Sequence, residues 1–173
     1  DVERSRGLGD VYKRQGRLYH RGVMKILLPP SETKRSGGDG APLDLGALAL
    51  PGLGAKRHEV IDALVDLAGD EEHARKVLKL SPKQAGDVAH NRMLRSAATM
   101  PAVDRYTGVL YDALDAGSLV PASRRWLGAH VWIHSAPLGP VGALDPIPPY
   151  RLAAGISLPG LPALRRHLSL IHI

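Results

Sequence analysis

The chain has no cysteine and no phenylalanine, and aromatic residues make up only 4% of its 173 positions. Without cysteine there is no disulfide framework and no thiolate metal site. With so few rings, the core must be built mainly from Leu, Val, Ile and Ala. Long apolar runs are also missing, since none approaches the roughly 20 residues of a membrane span. No secretory signal pattern precedes Met24. These absences set the expectation of a soluble, cytoplasmic protein with one domain.

The two ends are related through their coding sequence. Asp10–Gln15 reads DVYKRQ and Leu168–Ile173 reads LSLIHI. Encoding LSLIHI as CTG TCT CTT ATA CAC ATC and taking the reverse complement returns codons for DVYKRQ. That inverted sequence matches a transposon-type adapter used to fragment DNA. Asp1 to Gln15 and Leu168 to Ile173 are therefore expected to be read-through scars that add nothing to the core. Gly16 to Val23 is expected to be upstream sequence, Met24 the native start, and the natural frame cut near His167. The domain is then Met24 to His167, truncated at its C-terminus. The charge changes accordingly. The whole chain carries 23 Lys and Arg against 17 Asp and Glu, a formal +6. Residues 1–23 hold six of the bases and three of the acids, which leaves 17 against 14, or +3. Bulk charge is a weak argument for a polyanionic partner.

What is present begins with Met24–Lys34, MKILLPPSETK. Ile26-Leu27-Leu28 has the length of a buried strand, and Pro29-Pro30 ends it, because neither residue can donate to a ladder. Ser31, Glu32, Thr33 and Lys34 follow as a polar turn, a common place for a binding site at a strand end. Arg35 to Gly54 reads as a loop that lays its leucines on the core. Gly37–Gly40, GGDG, lacks the Lys-Ser/Thr of a phosphate loop and reads as a flexible connector.

Three helices are expected next. Val60, Ile61, Leu64, Val65 and Leu67 form a stripe over 55–68, with Gly69 at the C-terminal cap position. Asp70 caps a second, with Glu71 and Glu72 at its positive end. Ser81-Pro82-Lys83-Gln84 is a capping box opening a third. Such a row suits a nucleic-acid-binding module, although acids interspersed among the bases favour an ordinary solvated face. Arg105–Leu114, RYTGVLYDAL, reads as extended by residue preference, with Gly108 permitting a bend. It is either a polar, stacking pocket or a strand edge with half-buried tyrosines. Pro121–Ala129 is a helix with Trp126 and Leu127 inward and Arg124 and Arg125 outward. His130–Ser135 is a strand, Val131 and Ile133 facing one way and Trp132 and His134 the other. Its histidines read as structural, since no third ligand accompanies them. Ala136–Pro149 is a proline-pinned loop bracketed by Asp145 and Arg151. Its arginine suits a phosphate or carboxylate clamp, or braces Asp145.

The stretches PPSETK, RYTGVLYDAL and HSAPLGPVGALDPIPPYRL appear in an order and spacing that resembles the YaaA family of peroxide-stress-response proteins. The likeness covers nearly all of Met24 to His167. It implies a mixed α/β (α+β) fold peculiar to the family, a positively charged cleft, and a helix-hairpin-helix-like element that binds DNA. It also implies a cytoplasmic role in limiting damage from unincorporated iron during hydrogen peroxide stress. Tyr106, Thr107, Gly108, Asp145, Pro149, Tyr150 and Arg151 match the family pattern. Many members read S-P-A-K-T where this chain has Pro29 to Thr33, so Glu32 occupies the family lysine position and Lys34 stands as its substitute. Leu138 occupies a place the family commonly gives to an aromatic residue.

The expected site joins Ser31, Lys34, Arg105, Tyr106, Thr107, Gly108, Asp145, Tyr150 and Arg151. Arg105, Lys34 and Arg151 would contact phosphate, Tyr106 would stack on a base or sugar, and Asp145 would orient Arg151. The expected partner is DNA, with no metal and no cofactor assigned. The alternative is an enzyme acting on a nucleotide-like or other anionic small molecule, with Tyr106 or Glu32 as general acid or base.

Overall fold

The computed structural model describes residues 24–169; what was expected of Asp1–Val23 and of residues 170–173 lies outside the described residues. The fold mixes α and β elements around one hydrophobic core. Strand β1 (Ile26–Leu28) pairs in parallel with β3 (Val131–Ser135), which pairs antiparallel with β4 (Gly139–Gly142). A second ladder joins β2 (Met100–Pro101) to β5 (Pro146–Ile147). The helices are α1 (Gly54–Leu67), α2 (Glu71–Val77), α3 (Val88–Arg92), α4 (Ala102–Arg105), α5 (Val109–Leu114), α6 (Pro121–His130) and α7 (Leu164–His167), with a 3-10 helix over Pro82–Asp87. None is long and apolar enough to cross a membrane among the described residues.

The α1 stripe is real. Val60, Ile61, Leu64 and Leu67 are buried and Val65 partly so. The Asp70 side chain accepts a hydrogen bond from His73 N at 3.0 Å, capping α2. Gln84 Oε1 accepts from Ser81 N at 3.1 Å, so the capping box closes, but on the 3-10 helix, with the α-helix starting only at Val88. Gly69 follows the cap residue Ala68 without a left-handed φ. β3 alternates as expected, with Val131, Ile133 and Ser135 buried and Trp132 and His134 half-buried.

Other expectations fail for tertiary reasons. β1 is not buried: it has one neighbour, β3, and Leu27 is 56% exposed. Val109–Leu114 is helix despite its β-preferring residues. Gly108, at φ 100°, turns the chain into it, and Asp112 accepts from Gly108 N at 3.2 Å. Gly37–Gly40 is no flexible connector. Gly40 bridges Thr99, and a Cβ on Gly38 would lie 2.4 Å from Thr99 O. Trp126 is exposed and stacks on His130, while Arg124 turns inward to pair with Asp104. His130 ends α6 and lies outside β3. The Ala136–Pro149 loop contains β4 and β5. Leu168 is 1% exposed and packs into the core beside Gly139, so this residue contradicts the expectation that the C-terminal segment adds nothing there.

Candidate functional site

Residues 33–35 run antiparallel to 105–107. Thr107 N donates to Thr33 O at 3.1 Å, Arg35 N donates to Arg105 O at 2.8 Å, and Lys34 bridges Tyr106. This pairing brings the strand-end turn against the RYTG bend. Ser31, Thr33 and Thr107 then form a hydroxyl cluster, in which Thr107 Oγ1 donates to Thr33 Oγ1 at 2.9 Å. Gly108 is needed here on two counts. Its φ of 100° disfavours an L side chain, and a Cβ would press to 3.3 Å from Ser31 Oγ.

Below the turn lies a tyrosine cluster. The Tyr106 and Tyr150 hydroxyls share a hydrogen bond of 2.6 Å, Ser135 Oγ donates to Tyr150 at 3.3 Å, and Tyr111 donates to Pro29 O at 2.6 Å. Burial pushes all three phenols up from their ordinary pKa, so they stay neutral donors. Tyr106 is 1% exposed and offers no face to a base, contrary to the stacking role expected of it.

A cleft of about 250 Å³ opens above these tyrosines, lined by the Glu32–Lys34 turn, by Gln84, Asp87 and His90, and by Pro149, Tyr150 and Arg151. Lys34 Nζ donates to Ser31 O at 3.0 Å and Glu32 O at 3.2 Å, and lies 4.1 Å from the centre of the Tyr150 ring. Burial, with the Arg151 charge next, brings its pKa down to about 8. Glu32 and Asp87 oppose that shift and give the cleft both signs of charge, where the resemblance implied a positive one.

Arg151 is held by its main chain. Buried Asn91 donates from Nδ2 to Arg151 O at 2.8 Å and accepts from Arg151 N at 2.8 Å. The guanidinium itself makes two loose ion pairs, each 3.8 Å, to Glu32 and Asp87. A rigid backbone with loosely engaged donors is the arrangement an anion clamp requires. Nothing in the sequence marked Asn91, because a side chain that pairs with a backbone 60 positions away has no local signature.

Two expected members do not join. Arg105 is fully buried, and its guanidinium donates to the carbonyls of Ile147, Arg35, Gly37 and Ala98. It braces the fold and has no donor facing the cleft. Asp145 does not orient Arg151. Its carboxylate accepts from Ala49 N at 2.7 Å and Gly142 N at 2.8 Å, and its charge stabilises buried Arg57. Arg57, which the sequence reading also missed, donates to Leu138 O and Pro140 O at 2.8 Å each. No group of three or more His, Asp or Glu side chains is gathered for a metal among the described residues.

Comparison with known proteins meets this geometry at the same stretches. A family model described as peroxide stress protein YaaA matches residues 24–168. The chain belongs to that family. It is similar to UPF0246 protein SCO2297 of Streptomyces coelicolor, at 51% identity over 83% of this chain and 56% of that one. UPF0246 protein CE1889 of Corynebacterium efficiens is 52% identical over 79% of this chain and 54% of its own. A Streptococcus pneumoniae UPF0246 protein is 27% identical over 75% of this chain and 51% of its own. The chain spans about half the length of the curated relatives it matches. For this YaaA-family chain, the residues brought together are Ser31, Lys34, Thr107, Gly108, Tyr150 and Arg151, with Tyr106 beneath them.

Proposed function

We propose that this YaaA-family chain is part of a peroxide-stress protein that binds DNA and so limits damage from unincorporated iron. One observation supports the DNA reading. The cleft wall made by Gln84, Asp87 and His90 belongs to a helical segment that exposes Lys83 in its own 3-10 turn and Lys79 in the hairpin before it. Lys79 adopts a left-handed φ of 54° at that hairpin, between α2 and the 3-10 helix. On this reading the phosphate backbone is held by Lys79 and Lys83, with Arg151, which pairs with Asp87 of the same segment, as a further contact. Each neutralised phosphate releases counterions, so affinity falls with salt by a log–log slope of about 0.9 per contact. Titrating the 173-residue chain with duplex DNA at several salt concentrations tests this. Lys79→Ala with Lys83→Ala should lower the slope by about two, in line with those contacts. Binding that is insensitive to salt counts against it. The iron part rests on the family's role in peroxide stress. It predicts fewer iron-dependent strand breaks in peroxide-treated cells expressing the protein, and an unchanged number would refute it.

A second reading is an enzyme for a nucleotide-like or other anionic small molecule. What favours it is the cleft itself, which has mixed charge, about 250 Å³ of space and a lysine titrating near 8. A small pocket responds far less steeply to salt than a phosphate track does, so the same titration separates the two.

A further inference from the structure

We propose that Lys34 is a nucleophilic amine that condenses with the aldehyde of a small molecule whose phosphate or carboxylate is held by Arg151. The proposal rests on the reading that this cleft receives an anion, and goes beyond it by adding covalent chemistry.

The geometry that carries it is the way the amine is held. Two N–H bonds of Lys34 are taken by Ser31 O and Glu32 O. A neutral amine keeps both of these bonds and gains a lone pair, so deprotonation does not release the side chain from its place. The groups acting on Nζ come from several segments: Arg151, and more weakly the charge of buried Arg105, disfavour the ammonium, while Glu32, Asp87 and the Tyr150 and Tyr106 rings favour it. Burial decides the balance, leaving the pKa at about 8, so a useful share of the free amine exists at neutral pH. Lys25, Lys76, Lys79 and Lys83 are exposed; Lys25 donates to Ala129 O and lies over the Trp132 ring and Lys76 pairs with Glu72, but none of the four is buried beside an arginine in this cleft.

The chemistry balances without an oxidant. The lone pair of Nζ attacks the carbonyl carbon, the C=O π pair moves to oxygen, and a proton passes from nitrogen to that oxygen. That hydroxyl then accepts a proton, the C–O bond breaks to release water as the nitrogen lone pair forms C=N, and the last N–H proton returns to the group that supplied the first. One amine and one aldehyde become one imine and one water. His90, Asp87 and Glu32 line the same cleft and are the side chains available to carry those protons.

Pyridoxal 5′-phosphate supplies both an aldehyde and a phosphate. The 173-residue chain is incubated with it, reduced with borohydride, digested and mapped by mass spectrometry. Lys34 should be modified about tenfold or more faster than any exposed lysine near pH 7, as expected when a larger fraction is free amine. Its rate should level off above about pH 8, while the exposed lysines continue to gain towards pH 10. Arg151→Ala should remove most of the preference, and Lys34→Arg should abolish the adduct while keeping the positive charge. Pyridoxine 5′-phosphate, with an alcohol in place of the aldehyde, should protect Lys34 by competition. Modification of Lys34 no faster than of Lys79 or Lys83 overturns the amine chemistry, and protection-type binding of pyridoxine 5′-phosphate then leaves the anion reading standing. Equal selectivity for unphosphorylated pyridoxal, untouched by Arg151→Ala, overturns the anionic half and the anion reading with it.

Discussion

Arg105→Ala offers the sharpest test of how this fold uses charge. The guanidinium is fully buried and makes five hydrogen bonds to carbonyl oxygens, from 2.7 Å to Arg35 O to 3.2 Å to Ile147 O. Those carbonyls belong to the 35–37 segment, to Ala98 and to β5, so one side chain reinforces segments that the backbone already joins through the Gly40–Thr99 bridge and the β2–β5 ladder. Burial is also what lowers its pKa to about 10, which leaves it fully charged at neutral pH. Truncation strands several buried acceptors, each costing about 1–3 kcal/mol when left without a donor. Water entering the space recovers part of that, so a net loss of about 4–5 kcal/mol is expected, a large share of the roughly 5–15 kcal/mol that holds a domain. With a urea slope of about 1–3 kcal/mol per molar, the unfolding midpoint should fall by roughly 2 M or the chain should fail to fold. Arg105→Lys should be intermediate, because an ammonium reaches fewer carbonyls than the planar fork. The reasoning is refuted if Arg105→Ala keeps its urea midpoint and loses only DNA affinity.

Three further outcomes are expected. Asp145→Ala should lower the melting temperature by roughly 6–12 °C, from about 2–4 kcal/mol of lost charge-assisted bonds and an uncompensated Arg57, while Arg151→Ala should cost under about 1 kcal/mol because its ion pairs are loose; equal losses in thermal melts would mean the two residues act as one unit. Gly38→Ala should destabilise by at least about 2 kcal/mol more than Gly37→Ala: both glycines have positive φ, but only at Gly38 does the new Cβ meet a backbone oxygen, 2.4 Å away, and urea titration of the pair decides it. Lys34 gives a pH signature. Its folded pKa of about 8 lies below the unfolded 10.5, so between these values the unfolded chain binds the extra proton and stability rises with pH. The buried tyrosines, with raised pKa values, reverse the trend above about pH 10. The clean window is therefore pH 8 to 10, where Lys34→Met should flatten the slope of urea stability against pH, and an unchanged slope would show that another group titrates there.

Much of the architecture was legible where its cause is local. Asp70 and the Ser81–Gln84 box act within one helical turn, the α1 stripe follows a 3.6-residue period, and β3 alternates with a period of two, so each is written in neighbouring residues. Family membership was legible too, because three separated stretches kept their order and spacing, and the family match covers 24–168. The resemblance grouped Ser31, Lys34, Thr107, Tyr150 and Arg151; the pairing of 33–35 with 105–107 brings the first three together, while the Tyr106–Tyr150 bond and Asn91 place the other two.

What the tertiary structure alone decided is which charges face the cleft. Arg105 and Arg151 read alike in sequence, yet one is sealed among carbonyls and the other is left with two ion pairs of 3.8 Å. Asp145 and Arg151 stand six positions apart, but Gly142 and Ala49 take the carboxylate while Asn91 takes the arginine's backbone. Val109–Leu114 became helix against its residue preferences because Gly108 turns the chain and Tyr111 buries itself beside Tyr106, ring centres 5.2 Å apart. In each case the deciding partner comes from another segment. Residue type and short-range period determine caps, stripes and alternation, since those energies depend on neighbours within a few positions. Burial of a charge depends on which remote carbonyls surround it, and that is settled only when the chain has closed on itself.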